Sequence, residues 1–174
     1  MKPVVLLVAA AALAGCQTMQ DMWSGEPKAT ANLEPTKGNN VRGTATFAEK
    51  GGRVHLTANV SGLRPNAEFG FHIHEAGDCS SGDGMSAKGH FNPYGKPHGH
   101  TKSQERHAGD MPNLRSDASG NATVSVTLDI VTVASGPASI VGRGLIVHVQ
   151  PDDYKTQPTG NAGARSACAV IKKS

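Results

Sequence analysis

Aromatic side chains are scarce in this sequence: four Phe, two Tyr and one Trp make up only 4% of the residues. With 21 glycines beside so few rings, the balance favours turns and strands over long helices. No helical period lasts beyond a turn or two, which leaves a sandwich or a Greek-key barrel as the candidate architectures. A dominant charge is lacking as well. The formal net charge is +3, and Lys and Arg are scattered, so there is no basic stripe of the kind nucleic-acid binding needs. No internal repeat and no low-complexity tract is present. At 174 residues, with a removable leader set aside, the chain has room for one domain and one core.

Long apolar runs are also missing, except at the start. Lys2, an apolar run from Val4 to Leu13 and then small residues have the anatomy of a bacterial-type secretory signal. The run is too short to span a bilayer comfortably. Leu13-Ala14-Gly15-Cys16 resembles the lipobox of bacterial lipoproteins, which makes residues 1–15 a signal peptide and Cys16 a lipid-carrying first residue. An ordinary signal cleaved nearby is the alternative. Residues 16–28 read as a tether and 29–174 as the folded domain. The expected location is the periplasm or cell envelope. Of three cysteines, setting Cys16 aside leaves Cys79 and Cys168, which can pair in an oxidising compartment or stand as two buried thiols.

From Ala29 onward, short stretches alternate with a period of two: Thr30 to Pro35, Val41 to Phe47, Val54 to Val60 and Glu68 to His74. Short turns such as Lys50-Gly51-Gly52 join them, which predicts a four-strand meander. Strands resume over Asn121 to Leu128, Ile140 to Gln150 and Ala167 to Ile171. Between them, residues 75–116 hold Gly, Ser, Pro and His with no credible element. A structureless loop of that length is commonly functional and something must tie it down.

The histidines supply a candidate. His72 and His74 project from one face of a strand while Phe71 and Ile73 point to the core, so the two imidazoles can share a metal. The long loop adds His90, His98, His100, His107 and Asp110, and a late strand adds His148. Imidazoles with one carboxylate suit a tetrahedral zinc site.

Gly70-Phe71-His72-Ile73-His74-Glu75, Gly89-His90-Phe91-Asn92-Pro93, Arg106-His107-Ala108-Gly109-Asp110 and Gly160-Asn161-Ala162-Gly163-Ala164-Arg165-Ser166-Ala167-Cys168 resemble the motifs of copper/zinc superoxide dismutases, in order and approximate spacing. The resemblance runs from about residue 29 to the C-terminus. It implies an all-β, eight-stranded Greek-key barrel or sandwich, immunoglobulin-like, with long metal-binding loops. Copper would be held by His72, His74, His90 and His148, and zinc by His90, His98, His107 and Asp110. His90 would then be the bridging ligand and a catalytic residue. Arg165 would attract and orient superoxide at the mouth of the copper channel, and Cys79 would pair with Cys168. Asp152 would link His72 to His98, with neighbouring Asp153 left open in that role. The implied reaction disproportionates two superoxide anions and two protons to dioxygen and hydrogen peroxide. The family is a standard example of a two-sheet β fold and of a steered, near diffusion-limited enzyme, and those properties are borrowed from it.

Departures from the family pattern carry their own expectations. His100, two residues from His98, reads as solvent-exposed or as an auxiliary copper-binding residue. The steering loop of eukaryotic members does not transfer. Lys102, Arg106 and Lys155 read as solvated surface charges, with a substitute positive potential as the alternative. Monomer and homodimer both stay open. The competing functions are a copper- or zinc-binding module on the same fold that does not turn over, and a zinc hydrolase.

Overall fold

A computed structural model describes residues 26–174. The expected signal peptide, the lipobox at 13–16, lipidation at Cys16 and most of the tether lie outside the described residues. Ten strands follow in chain order: β1 Lys28–Pro35, β2 Arg42–Lys50, β3 Arg53–Ser61, β4 Glu68–Phe69, β5 Phe71–His74, β6 Leu114–Arg115, β7 Ala122–Leu128, β8 Gly144–His148, β9 Arg165–Val170 and β10 Lys172–Lys173. Strand β1 opens inside the stretch expected as tether, because Lys28 already pairs with Ala48. One eight-stranded sheet runs in the order β5-β8-β9-β1-β2-β3-β7, with β10 also on β1, and β4 pairs with β6 in a separate ribbon. The all-β Greek-key expectation holds.

The four-strand meander does not. Strands β1, β2 and β3 are sequential neighbours, but β3 then pairs with β7. The stretch Glu68 to His74 divides at Gly70, whose backbone bonds to Gln150 and His148 instead of to a ladder partner. Its first half pairs with β6 and its second with β8.

Two sides of the sheet behave differently. On β1 and β3, exposed and buried residues alternate strictly, with Ala29, Ala31, Leu33, Val54, Leu56, Ala58 and Val60 inward. That is the pattern of a sheet with one solvated face. Strands β5 and β8 are buried at every position. Their inward residues, Phe71, Ile73, Leu145 and Val147, join the main core. Their outward residues, among them His72, His74, Ile146 and His148, are buried because the long loop lies over them.

The loop is held there by three devices. Strand β5 is the sheet edge, and an edge leaves backbone groups in need of partners. Phe91 N–H donates to Ile73 O at 2.8 Å, Ile73 N–H to Gly109 O at 3.0 Å and Glu75 N–H to Gly89 O at 2.9 Å. Gly109 is required in this arrangement, since a Cβ would overlap Ile73 O and press on Phe91 N. Next, Cys79 is bonded to Cys168 on β9. With the two cysteines 89 positions apart in sequence, closing the loop constrains the unfolded chain by about 4 to 5 kcal/mol on the chain-entropy model. A small apolar cluster of Ala87, Ile146, Cys168 and Cys79 packs under the bridge. The third device is the cluster of histidines itself.

Candidate metal centre

Strand alternation sends His72 and His74 outward from β5, and His148 ends β8 on the same face. Between Val147 and His148 the pairing with β9 slips by one residue, so that Arg165, not Ser166, stands opposite His148. The bulge brings a guanidinium to the histidine cluster. His90 arrives from the loop and pairs by backbone with His74. The donor nitrogens of His72, His74, His90 and His148 lie within 4.8 Å of one another, and all four residues are buried.

The partner of each ring's other nitrogen decides which nitrogen faces inward. His72 Nε2 lies 2.9 Å from Asp152 Oδ2, His74 Nδ1 2.8 Å from Lys88 O and His148 Nδ1 3.1 Å from Gly163 O. His90 Nδ1 is 2.8 Å from Asp110 Oδ1. That leaves His72 Nδ1 and the Nε2 atoms of His74, His90 and His148 to converge. Two of these, His72 Nδ1 and His90 Nε2, are buried without a hydrogen-bond partner. An orphaned buried polar atom costs about 1 to 3 kcal/mol, so nitrogens in this position fit a metal.

A second group lies on the far side of His90. The donor atoms of His90, His98, His107 and Asp110 also sit within 4.8 Å of one another, all buried. Asp110 is its centre. Its Oδ1 is 2.8, 3.0 and 3.4 Å from the Nδ1 atoms of His90, His98 and His107, while Oδ2 accepts from the N–H groups of Gly99 and His107. Asp152 joins the two groups, with Oδ2 on His72 and Oδ1 3.0 Å from His98 Nε2. Asp153 faces elsewhere, accepting from Lys155 and Thr156. Gly160, at φ 67°, leaves room for this junction, because a Cβ there would overlap the Asp152 carboxylate and crowd His98.

Electrostatics separates the groups. Burial and the neighbouring His72 push His148 down to about 3. Burial and His72 likewise hold His90 at about 4 against the pull of Asp110, and burial drives His74 well below its ordinary value. These rings are neutral at pH 7, the form that ligates metal. For His98, burial opposes the charged form, yet hydrogen bonds to Asp110 and Asp152 overcome it and raise the ring to about 9. Burial likewise opposes the Asp110 carboxylate, but bonds from His107, His90 and His98 keep it far below the usual carboxylate range.

The sequence profile of the family described as copper/zinc superoxide dismutase (SODC) matches residues 41–171. The chain belongs to the copper/zinc superoxide dismutase family. It is 47% identical over 154 residues to Superoxide dismutase [Cu-Zn] 2 of Aquifex aeolicus (strain VF5), covering 86% of this chain and 90% of that protein. It is 44% identical over 151 residues to Superoxide dismutase [Cu-Zn] 2 of Brassica juncea, covering 83% and 96%. The solved structure of the clock protein EA4 superposes with a TM-score of 0.77 at 40% identity, over 84% of this chain and 94% of that one.

In this member of the copper/zinc superoxide dismutase family, Arg165 donates to the carbonyls of Gly84 and Lys88. Lys88 O therefore serves both the guanidinium and His74. Arg106, expected as a surface charge, is instead 9% exposed and pairs with Asp129 and Ser103 O. Its position pins the loop to the end of β7. His100 lies outside both donor groups, with Nδ1 accepting from Lys102 N–H. Two supporting residues had no signal in the sequence. Asn113 clamps Asp152 through both main-chain groups, and Gln157 does the same for His98 at 2.8 Å each way. Side-chain amides in aperiodic loops carry no pattern to read.

Proposed function

We propose that this chain disproportionates superoxide, with copper held by His72, His74, His90 and His148 and zinc by His90, His98, His107 and Asp110. One observation carries the reading: two buried donor groups share a ring, His90, whose Nε2 faces one and whose Nδ1 faces the other. Copper supplies one-electron redox chemistry when bound there, and zinc supplies a fixed charge that secures the loop.

The chain's own residues supply the rest. Arg165, fixed by two carbonyls opposite His148, binds and orients a small anion. His90 presents Nε2, buried and without a hydrogen-bond partner, as the atom at which a proton can be taken up or given, while its Nδ1 faces Asp110. Asp152 fixes the rings of His72 and His98 in one frame, which makes the two groups respond together. All donors come from one chain, so the chemistry asks for no second copy. The products are dioxygen and hydrogen peroxide, formed from two superoxide anions and two protons.

The leader and the lipobox ending at Cys16 support a protective role in the periplasm or cell envelope, with a lipid anchor at Cys16. The Cys79–Cys168 bridge suits an oxidising compartment. Metal analysis of the purified soluble domain, run beside a superoxide-consumption assay with and without a copper chelator, tests the function. Copper and zinc in equal amounts and chelator-sensitive consumption are expected. Bound metal without consumption would favour the non-catalytic metal-binding module.

A further inference from the structure

Tyr154 has a backbone conformation unusual for a bulky side chain, with φ at 60°. Such a residue persists only where its surroundings over-determine it. Three contacts meet there. The turn aims Tyr154 N–H at Asp152 Oδ1, 2.7 Å away, the same oxygen that faces His98 Nε2. The phenol oxygen accepts Asn113 N–H at 2.8 Å, and Asn113 is the residue that clamps the Asp152 main chain. The tyrosine ring meets His100 edge to face, with centroids 4.5 Å apart and planes at 66°. Aromatic pairs favour that geometry.

His100 is held in turn by Lys102 N–H on its Nδ1. Gly99, between the two histidines, donates to Asp110. The two histidines on either side of that glycine both reach the Asp152 carboxylate, His98 directly and His100 through Tyr154.

We propose that His100 and Tyr154 form a strut that fixes Asp152, and through it the rings of His98 and His72, so that His100 is a positioning residue and not a metal ligand. The strut rests on the reading that His90, His98, His107 and Asp110 hold zinc.

Cobalt(II), loaded into the metal-free soluble domain in place of zinc, reports the site by its affinity and its visible spectrum. His100→Ala should weaken cobalt binding about tenfold, the usual size for losing a supporting residue, and should alter the spectrum. His100→Phe keeps a ring against Tyr154 and should restore both to within about twofold. Tyr154→Gly suits the backbone but removes both the ring and the acceptor for Asn113 N–H; it should lose at least as much as His100→Ala, and the double variant should lose little more than Tyr154→Gly alone, as expected for coupled neighbours. Thermal midpoints of the metal-free variants identify any that fail to fold, in which case His100→Phe and Tyr154→Gly decide the matter. Wild-type affinity and spectrum in His100→Ala would overturn the strut. So would equal losses in His100→Ala and His100→Phe, which would make the imidazole itself a ligand. A wild-type domain that takes up no cobalt would overturn the zinc assignment and the strut with it.

Discussion

The two donor groups share one ring and differ in how they are built. In the first, His72, His74 and His148 stand on β5 and β8, whose alternate residues Phe71, Ile73 and Val147 are locked into the main core. Its outer nitrogens are held by separate acceptors, Asp152, Lys88 O, Asp110 and Gly163 O. In the second, all four donors come from residues 90–110 and gather on one carboxylate, Asp110. The first is therefore a property of the barrel. The second gives residues 90–110, which hold no strand or helix, an interior of their own. An all-imidazole set suits both oxidation states of copper, whereas three imidazoles and a carboxylate suit a closed zinc site.

Breaking one group at a time tests that division. His148→Ala removes a strand-borne ring and leaves Asp110 and its partners in place. Superoxide consumption should fall at least about 10³-fold, as when an essential group of a catalytic unit is deleted, with zinc still retained by metal analysis. Full activity in this variant would refute the copper assignment. Asp110→Ala does the converse. Zinc affinity should drop by at least the roughly 10- to 100-fold that losing a supporting residue costs, and amide exchange should rise across residues 90–110 while β1 to β3 stay protected. Uniform loss of protection over the barrel would show that the loop and the barrel are not separable.

Much of the first group was legible in the sequence because strand periodicity is local. His72 and His74 fall on one face by alternation alone, and the apolar residues between them name the core face. Neighbour order is not local, which is why the predicted meander failed at Gly70 and β3 pairs with β7. Alternation says which face is buried and nothing about which strand lies alongside. The same limit hid the slip that sets Arg165 opposite His148; only the resemblance suggested that arginine. Arg106 was misread because a cation in a polar loop looks solvated until its partner, Asp129, is known to be adjacent.

The last difference is in proton affinity, and it predicts opposite arms in the stability of the metal-free protein. His148 at about 3 and His90 at about 4, with His74 also depressed, lie below the ordinary 6.5. As pH falls below 6.5 the unfolded chain binds protons that these buried rings refuse, so stability declines toward about pH 3 to 4. His98 shifts the other way. Its pKa of about 9 exceeds 6.5, so its contribution is complete below 6.5 and is lost as pH rises through about 9. Asp110 and Asp152, both lowered from 3.8, contribute above that value and steepen the acid arm only at its lower end. The urea midpoint of the metal-free domain should therefore peak near pH 6.5, within a scan from about pH 4 to about pH 10. His98→Gln should flatten the alkaline arm and make the acid arm shallower, since the charge of His98 helps depress His90 and its hydrogen bonds help depress Asp110 and Asp152. An alkaline arm that persists in His98→Gln would place the titrating group outside the second donor group and undo the electrostatic half of the contrast.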